Sequence, residues 1–322
     1  MLKYTLQRLL YLLLVFLTIA CMCFVLIRML PPPIPNPQDK GAAMIIEMRR
    51  EALGYNKPYL VQFGIYVKNV VTEGNFGVSE VLYPGRNVAE VFMEKLPATM
   101  LVNVYAILWS IPVGIALGIW AALKKNSRTD YLISTLTMVC ISVPSFVYAF
   151  LVQYFFCFKL GWFPLTMNIG TNYFTADMFK SMVPAILSLS FGTIAGFTRT
   201  TRAELTEVLT NDFMLLARTK GLTKAQATIR HAMKNCMVVV LPGIFGSFIG
   251  ILGGSLIIEG IFSIPGVGGL TLAAISGKGS DIDTYVFMLT TCFYTAIGLL
   301  GALVVDVSYG FIDPRIRMGS KK

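Results

Sequence analysis

Six times the chain runs apolar for close to the roughly 20 residues that a helix needs to cross hydrocarbon. The runs are Leu9 to Ile27, Thr99 to Leu123, Tyr131 to Phe158, Pro184 to Phe197, Met237 to Ile258 and Tyr285 to Val305. Inside a bilayer a spanning segment must satisfy its own backbone polar groups, and continuous apolar runs of this length do so as helices. Composition points the same way. The chain is 55% hydrophobic and 14% charged, against about 25% charged in an ordinary soluble protein. An all-α polytopic membrane protein with six spans is expected.

The net charge of +10 could suggest nucleic acid, but its placement argues for a membrane. With the amino terminus inside, one side collects Lys3 and Arg8, then Lys124, Lys125 and Arg128, then Arg199, Arg202, Arg218, Lys220, Lys224, Arg230 and Lys234. Arg315, Arg317, Lys321 and Lys322 complete it. This is the positive-inside bias, and it puts both termini in the cytoplasm. The first run exceeds a signal-peptide core and lacks a convincing cleavage site, so a retained anchor is predicted. Cys21, Cys23, Cys140, Cys157, Cys236 and Cys292 lie in or beside apolar stretches without metal-pair spacing, as small hydrophobes do.

A polar interruption, Arg199 to Asn235, separates two strongly apolar blocks and holds the only histidine, His231. Its centre has a helical signature. Asn211 can cap, Asp212 sits in the favourable first turn, and Phe213, Met214, Leu216 and Ala217 offer an apolar stripe. Arg218 and Lys220 fall in the last turn and Gly221 closes it. A second helical run begins near Thr223, a possible cap. Exposed apolar residues on the charged side of a membrane either rest in the lipid interface and under the bundle, or plug into a partner's groove.

Asn211 to Gly221, NDFMLLARTKG, resembles the cytoplasmic coupling loop of ABC importer permeases, specifically the first permease subunit of the oligopeptide/dipeptide/nickel group. The residues that carry the likeness are Asp212 and Phe213, then Ala217, Arg218, Lys220 and Gly221, then His231, Ala232, Lys234 and Asn235. Leu215 and Leu216 depart from the broader importer pattern, and Leu241–Pro242 comes later than that pattern has it. The resemblance implies the type I importer permease fold, with an extracellular insertion after the first helix. It also implies ATPase coupling through Asp212, Phe213, Met214, Leu216, Ala217, Arg218, Lys220 and Gly221. The implied partners are a second homologous permease subunit, two cytoplasmic ATPases that bind ATP and Mg, an extracellular solute-binding protein, and a peptide substrate. The setting implied is a bacterial inner membrane.

The expected layout is a tail and first span at 1–30, an extracellular region at 31–98, a permease core at 99–317 containing the loop 199–235, and a tail at 318–322. Arg28 is kept from the family's first-helix end, but Pro31, Pro32 and Pro33 replace its turn. Gly114 and Gly118 suit close helix contact. Asp130 is a candidate cap for the third span. Within that span Ser142, Pro144 and Ser145 either kink it or line a cavity, and the family keeps a similar patch ending in Phe146. Trp162, Phe163 and Tyr173 are interfacial anchors. Gly192 and Gly196 make a small packing face, and Arg199 and Arg202 are interface anchors or partners for Glu204 and Glu207.

Span five carries Gly243, Gly246, Gly250, Gly253 and Gly254, a small side for packing or an open route. At its outer end Glu259 must snorkel, pair or face a hydrated path. Pro265 and Gly266 lie in a turn that, in the family, helps form the outer gate. The translocation path or gate is therefore assigned to Ser142, Ser145, Gly253, Gly254, Glu259, Pro265 and Gly266. Gly279 to Asp283 departs from the family pattern. Asp306 matches the family's carboxyl end, where an inner-edge carboxylate pairs with a nearby arginine and Pro314 stops the helix.

No glycine-rich Lys-Ser/Thr phosphate loop and no nucleophile cluster is present, so neither catalysis nor a cofactor or metal bound by this chain is expected. A secondary transporter or channel shares the bulk properties but leaves the loop unexplained. Peptide is the expected cargo, with nickel or another small solute as the alternative.

Overall fold

The computed structural model describes residues 2–30, 54–170, 172–250, 256–276 and 282–312. These residues are almost wholly helical, with one isolated antiparallel bridge, Val78 to Asn87. Among the described residues five helices are long and apolar enough to cross a membrane, six spans if one bent pair counts as a single crossing.

Helix α1 is Leu2–Arg28 and α2, Tyr59–Glu73, belongs to the region after it. Helix α3, Val88–Leu123, begins well before the expected Thr99 because Asn87 caps it, accepting the Ala89 N–H at 2.9 Å. The expected third span is two helices. Helix α4, Arg128–Ser142, and α5, Ser145–Val152 with its π-helical continuation Gln153–Lys159, meet at 101°. Val143 is extended and Pro144 lacks an N–H, so the helix cannot run through them. The Tyr148 hydroxyl reaches back across the break, its one proton shared between Cys140 O at 2.9 Å and Val139 O at 3.1 Å, the latter also accepting the Val143 N–H.

Helix α6, Ala176–Val208, carries the fourth span and runs on through Arg199 and Arg202. The interruption seen in the sequence is therefore helical in its first part. Helix α7 is Asp212–Thr219. Next, α8, Lys224–Ala227, passes through a π-helical stretch, Thr228–Ala232, into α9, Met233–Gly250. Helix α10, Leu256–Ile261, and α11, Val267–Ile275, flank the outer turn, and α12, Thr284–Ile312, closes the bundle.

Helices α3 and α6 form the central pair. A side chain at Gly118 would bring its Cβ to 2.6 Å from Thr201 Cβ, and one at Gly114 to 2.8 Å from Ile194 O. Only glycine allows this approach, and the Thr198 hydroxyl uses it to donate to Gly114 O at 3.1 Å. Gly192 and Gly196 do not pack as expected. They face open space. Buried hydroxyls turn back on their own helix, as Ser188 to Pro184 O and Ser190 to Ile186 O at 2.7 Å each, which lets an apolar bundle bury them.

Three apolar clusters succeed one another along α3. Val88, Val91 and Phe92 join Val267, Leu270 and Val286. Ala98, Val102 and Ala106 join Met182, Ile258 and Phe262. Ala122 joins Leu205, Val208, Met214, Ala217 and Val240.

Candidate functional site

At the charged end, α7 is set by local chemistry. Asn211 occupies the cap position in extended conformation, but its side chain makes no capping bond; its carbonyl accepts the Met214 N–H at 2.9 Å. Asp212 and Arg218 sit at the termini that suit their charges. The C-terminus is a Schellman turn. Gly221 adopts φ +90°, its N–H bonds Arg218 O at 3.0 Å, and the Leu222 N–H reaches Ala217 O at 3.3 Å. Thr223 does cap α8. It exchanges reciprocal bonds with Gln226 at 3.1 and 3.3 Å, a capping box.

The faces of α7 divide cleanly. Met214 and Ala217 are buried against Leu205, Val208 and Ala122. Phe213 is 38% exposed and Leu216 56%. Leu215, absent from the expected set, is 65% exposed. Met214, like Ala217, is buried inside this chain in a cluster that also holds Ala227, Ala232 and Cys236, so neither side chain is on the exposed face of α7. Asp212, Arg218, Lys220 and Gly221 are exposed. A cavity of about 520 Å³ lies beside α7, lined in part by Ala122, Thr206, Asp212, Leu215 and Arg218.

Next to it, Asp130 is not the cap of its helix. Ser127 is, accepting the Asp130 N–H at 3.3 Å. The Asp130 carboxylate, 2% exposed, instead holds Arg202 through two bonds, Nε to Oδ1 at 2.5 Å and Nη2 to Oδ2 at 2.8 Å. It also accepts the Asn126 N–H and the Ser134 hydroxyl. Arg202 therefore pairs across the bundle rather than with Glu204 or Glu207. The available signal was a carboxylate opening an apolar span beside an arginine closing another.

At the other end, Glu259 is buried at 3% exposure. Its Oε2 accepts the N–H groups of Gly268 at 2.8 Å and Gly269 at 3.2 Å, and its Oε1 accepts the Thr99 hydroxyl at 2.9 Å. Thr99 in turn accepts the Val267 N–H at 2.8 Å. The carboxylate closes the N-terminus of α11, where backbone donors favour negative charge. It pairs, one of the three states the sequence allows for it. Gly266 is buried in the same cradle, where a Cβ would overlap the Glu259 and Thr99 oxygens, and Pro265 is half-buried. Ser142 and Ser145 lie exposed on either side of the α4–α5 bend. Gly253 and Gly254 lie outside the described residues, as do Pro31 to Pro33 and Pro314.

Two further outer residues, Asp283 and Arg28, have partners that their sequence neighbourhoods do not reveal. Asp283 accepts the Ser79 hydroxyl at 2.5 Å and the N–H groups of Val81 and Leu82, fastening the region before α3 to α12. Arg28 donates to the Tyr285 hydroxyl at 3.0 Å and stacks 3.7 Å from the Tyr55 ring centroid. Burial pushes the Tyr55 phenol up, against the pull of that guanidinium.

Among the described residues no group of His, Cys, Asp and Glu is placed to hold a metal ion. Cys236 and Cys157 are buried free thiols.

The family model described as "Binding-protein-dependent transport system inner membrane component" matches residues 114–318. The dipeptide transport system permease protein DppB of Lactococcus lactis subsp. cremoris is 35% identical over 99% of this chain and 100% of its own length. The glutathione transport system permease protein GsiC of Escherichia coli (strain K12) is 32% identical over 98% and 99%. Among solved structures, the inward-facing MetNI methionine ABC transporter superposes with a TM-score of 0.52 at 13% identity, covering 68% of this chain and 97% of that one. An amino acid ABC transporter crystallised with histidines gives 0.50 at 17%, covering 69% and 94%. The fold is thus that of type I ABC importer permeases, and the chain belongs to the binding-protein-dependent transport system inner membrane components.

Proposed function

We propose that this chain is one of two permease subunits of an ATP-driven importer that moves peptides into the cytoplasm. The observation that carries the reading is α7. It stands at the end bearing the basic residues, held to the bundle by Met214 and Ala217, while Phe213, Leu215 and Leu216 face outward. A short helix that presents apolar side chains away from its own core fits a groove in another protein. Two cytoplasmic ATPases, binding ATP and Mg, supply the energy, and a second homologous permease completes the path. A solute-binding protein delivers cargo outside, where Glu259, Pro265 and Gly266 frame the closed outer turn. The relatives named for dipeptide and glutathione transport support a peptide cargo. ATP-dependent uptake of labelled di- to pentapeptides by the complete complex in liposomes tests the reading. Uptake should require the binding protein and ATP. Uptake of Ni²⁺ but of no peptide would overturn the assigned cargo.

A further inference from the structure

One buried carboxylate joins three parts of the inner bundle. Asp130 takes the Asn126 N–H from the α3–α4 turn, where Asn126 is held at φ +63°, the Ser134 hydroxyl from α4, and the guanidinium of Arg202 from the polar extension of α6. That extension leads within a few residues into α7, whose Met214 and Ala217 share one buried apolar cluster with Leu205 and Val208 of the same α6. Helix α3 is locked to α6 at Gly114 and Gly118. The chain of contact from α7 to α4 therefore runs through packed side chains and ends in a two-pronged ion pair. At Ser142 the straight run of α4 ends, in the 101° bend.

We infer that Asp130 and Arg202 form a coupling strut, positioning residues that make the inner end of α4 follow α7, with the Val143–Pro144 bend taking up the movement. A planar guanidinium held by two bonds resists both sliding and rotation, which a single point charge does not. Since Asp130 is almost fully buried, breaking the pair leaves a carboxylate short of its partner, so the contact is either made or lost. The inference rests on the assignment of α7 as the helix that docks with the ATPase.

The test replaces the ion pair by a covalent one. Asp130→Cys with Arg202→Cys is placed in a chain freed of its native cysteines and reconstituted with all partner subunits and the binding protein. Without a linker, transport per ATP should fall about tenfold, a normal size for coupling between sites. The ATPase should stay bound. A short thiol-specific cross-linker should restore coupling, and cleaving the linker should abolish it again. Arg202→Lys, which keeps charge but loses the fork, should lie between and serves if the double variant misfolds. Full coupling in the unlinked double variant or in Arg202→Lys overturns the strut alone, as does failure of the linked, assembled complex to recover. If the parent chain does not retain the ATPase, the reading of α7 falls and the strut with it.

Discussion

Arg8, near the start of α1, forms a salt bridge of 3.1 Å with Asp306, near the end of α12. The arginine paired with Asp306 thus comes from the first span. The first span begins and the last one ends on the same face of the membrane, which requires an even number of crossings. Among the described residues the five long helices reach an even number when α4 and α5, bent as they are, count together as the sixth. A cysteine at Thr223 should accordingly react with a membrane-impermeant thiol reagent from the cytoplasmic side only. Labelling from outside in sealed cells would invert the topology.

Close approach of α3 and α6 sets a second expectation. Gly118→Leu must displace Thr201 or the α6 backbone, and overpacking of this kind costs about 2 kcal/mol. Gly192→Leu enters open space and should leave the fold of this chain intact. Thermal unfolding of the purified variants in detergent checks the contrast. Equal loss of stability would show that Gly192 is packed too.

The Glu259 cradle supports a third. A Glu259 side chain that faced a hydrated path, one of the three states its sequence position allows, would let Glu259→Leu assemble normally. The hydrogen bonds now argue that it strands the Gly268 and Gly269 N–H groups, at about 1–3 kcal/mol for each buried group left unpaired. Glu259→Leu should therefore reduce the amount of folded protein, and Glu259→Gln, which keeps an acceptor oxygen, should do so less. Size-exclusion yield after mild heating separates them; identical yields for both and for the parent would contradict the cradle.

Asp283 invites a fourth. Asp283→Ala removes the acceptor for Ser79, Val81 and Leu82 and should loosen the segment between α2 and α3. Hydrogen exchange across residues 74–87 should accelerate by about tenfold or more, with α6 unchanged. Unaltered exchange there would mean the segment is held by something else.

Much of this was visible in the residues. The spans were legible because hydrocarbon demands apolar length, and the caps around Thr223 and Gly221 because they depend on neighbours a few residues away. Helix ends were less so. Hydropathy marks where lipid stops, whereas α6 continues to Val208 because its polar extension still has α7 and Asp130 to pack on. The partner of Arg202 was misplaced for a related reason. Glu204 and Glu207 are near in sequence, but only the fold brings Asp130 beside it. Glu259 allowed three local readings, and the cradle that decides between them is built from Thr99 and Gly268, on other helices.

On the proposed reading, the outer face of α7 docks with the ATPase while its inner face holds the bundle. Phe213→Ala with Leu216→Ala removes only the outward side chains, and buried aromatic anchors at such contacts contribute about 2 kcal/mol or more. Co-purification of the reconstituted complex measures this directly, as the ratio of ATPase to permease alongside the melting temperature of the permease itself. The ratio should fall severalfold in the double variant with the melting temperature unchanged. A native ratio with native transport per ATP would contradict the assignment of α7.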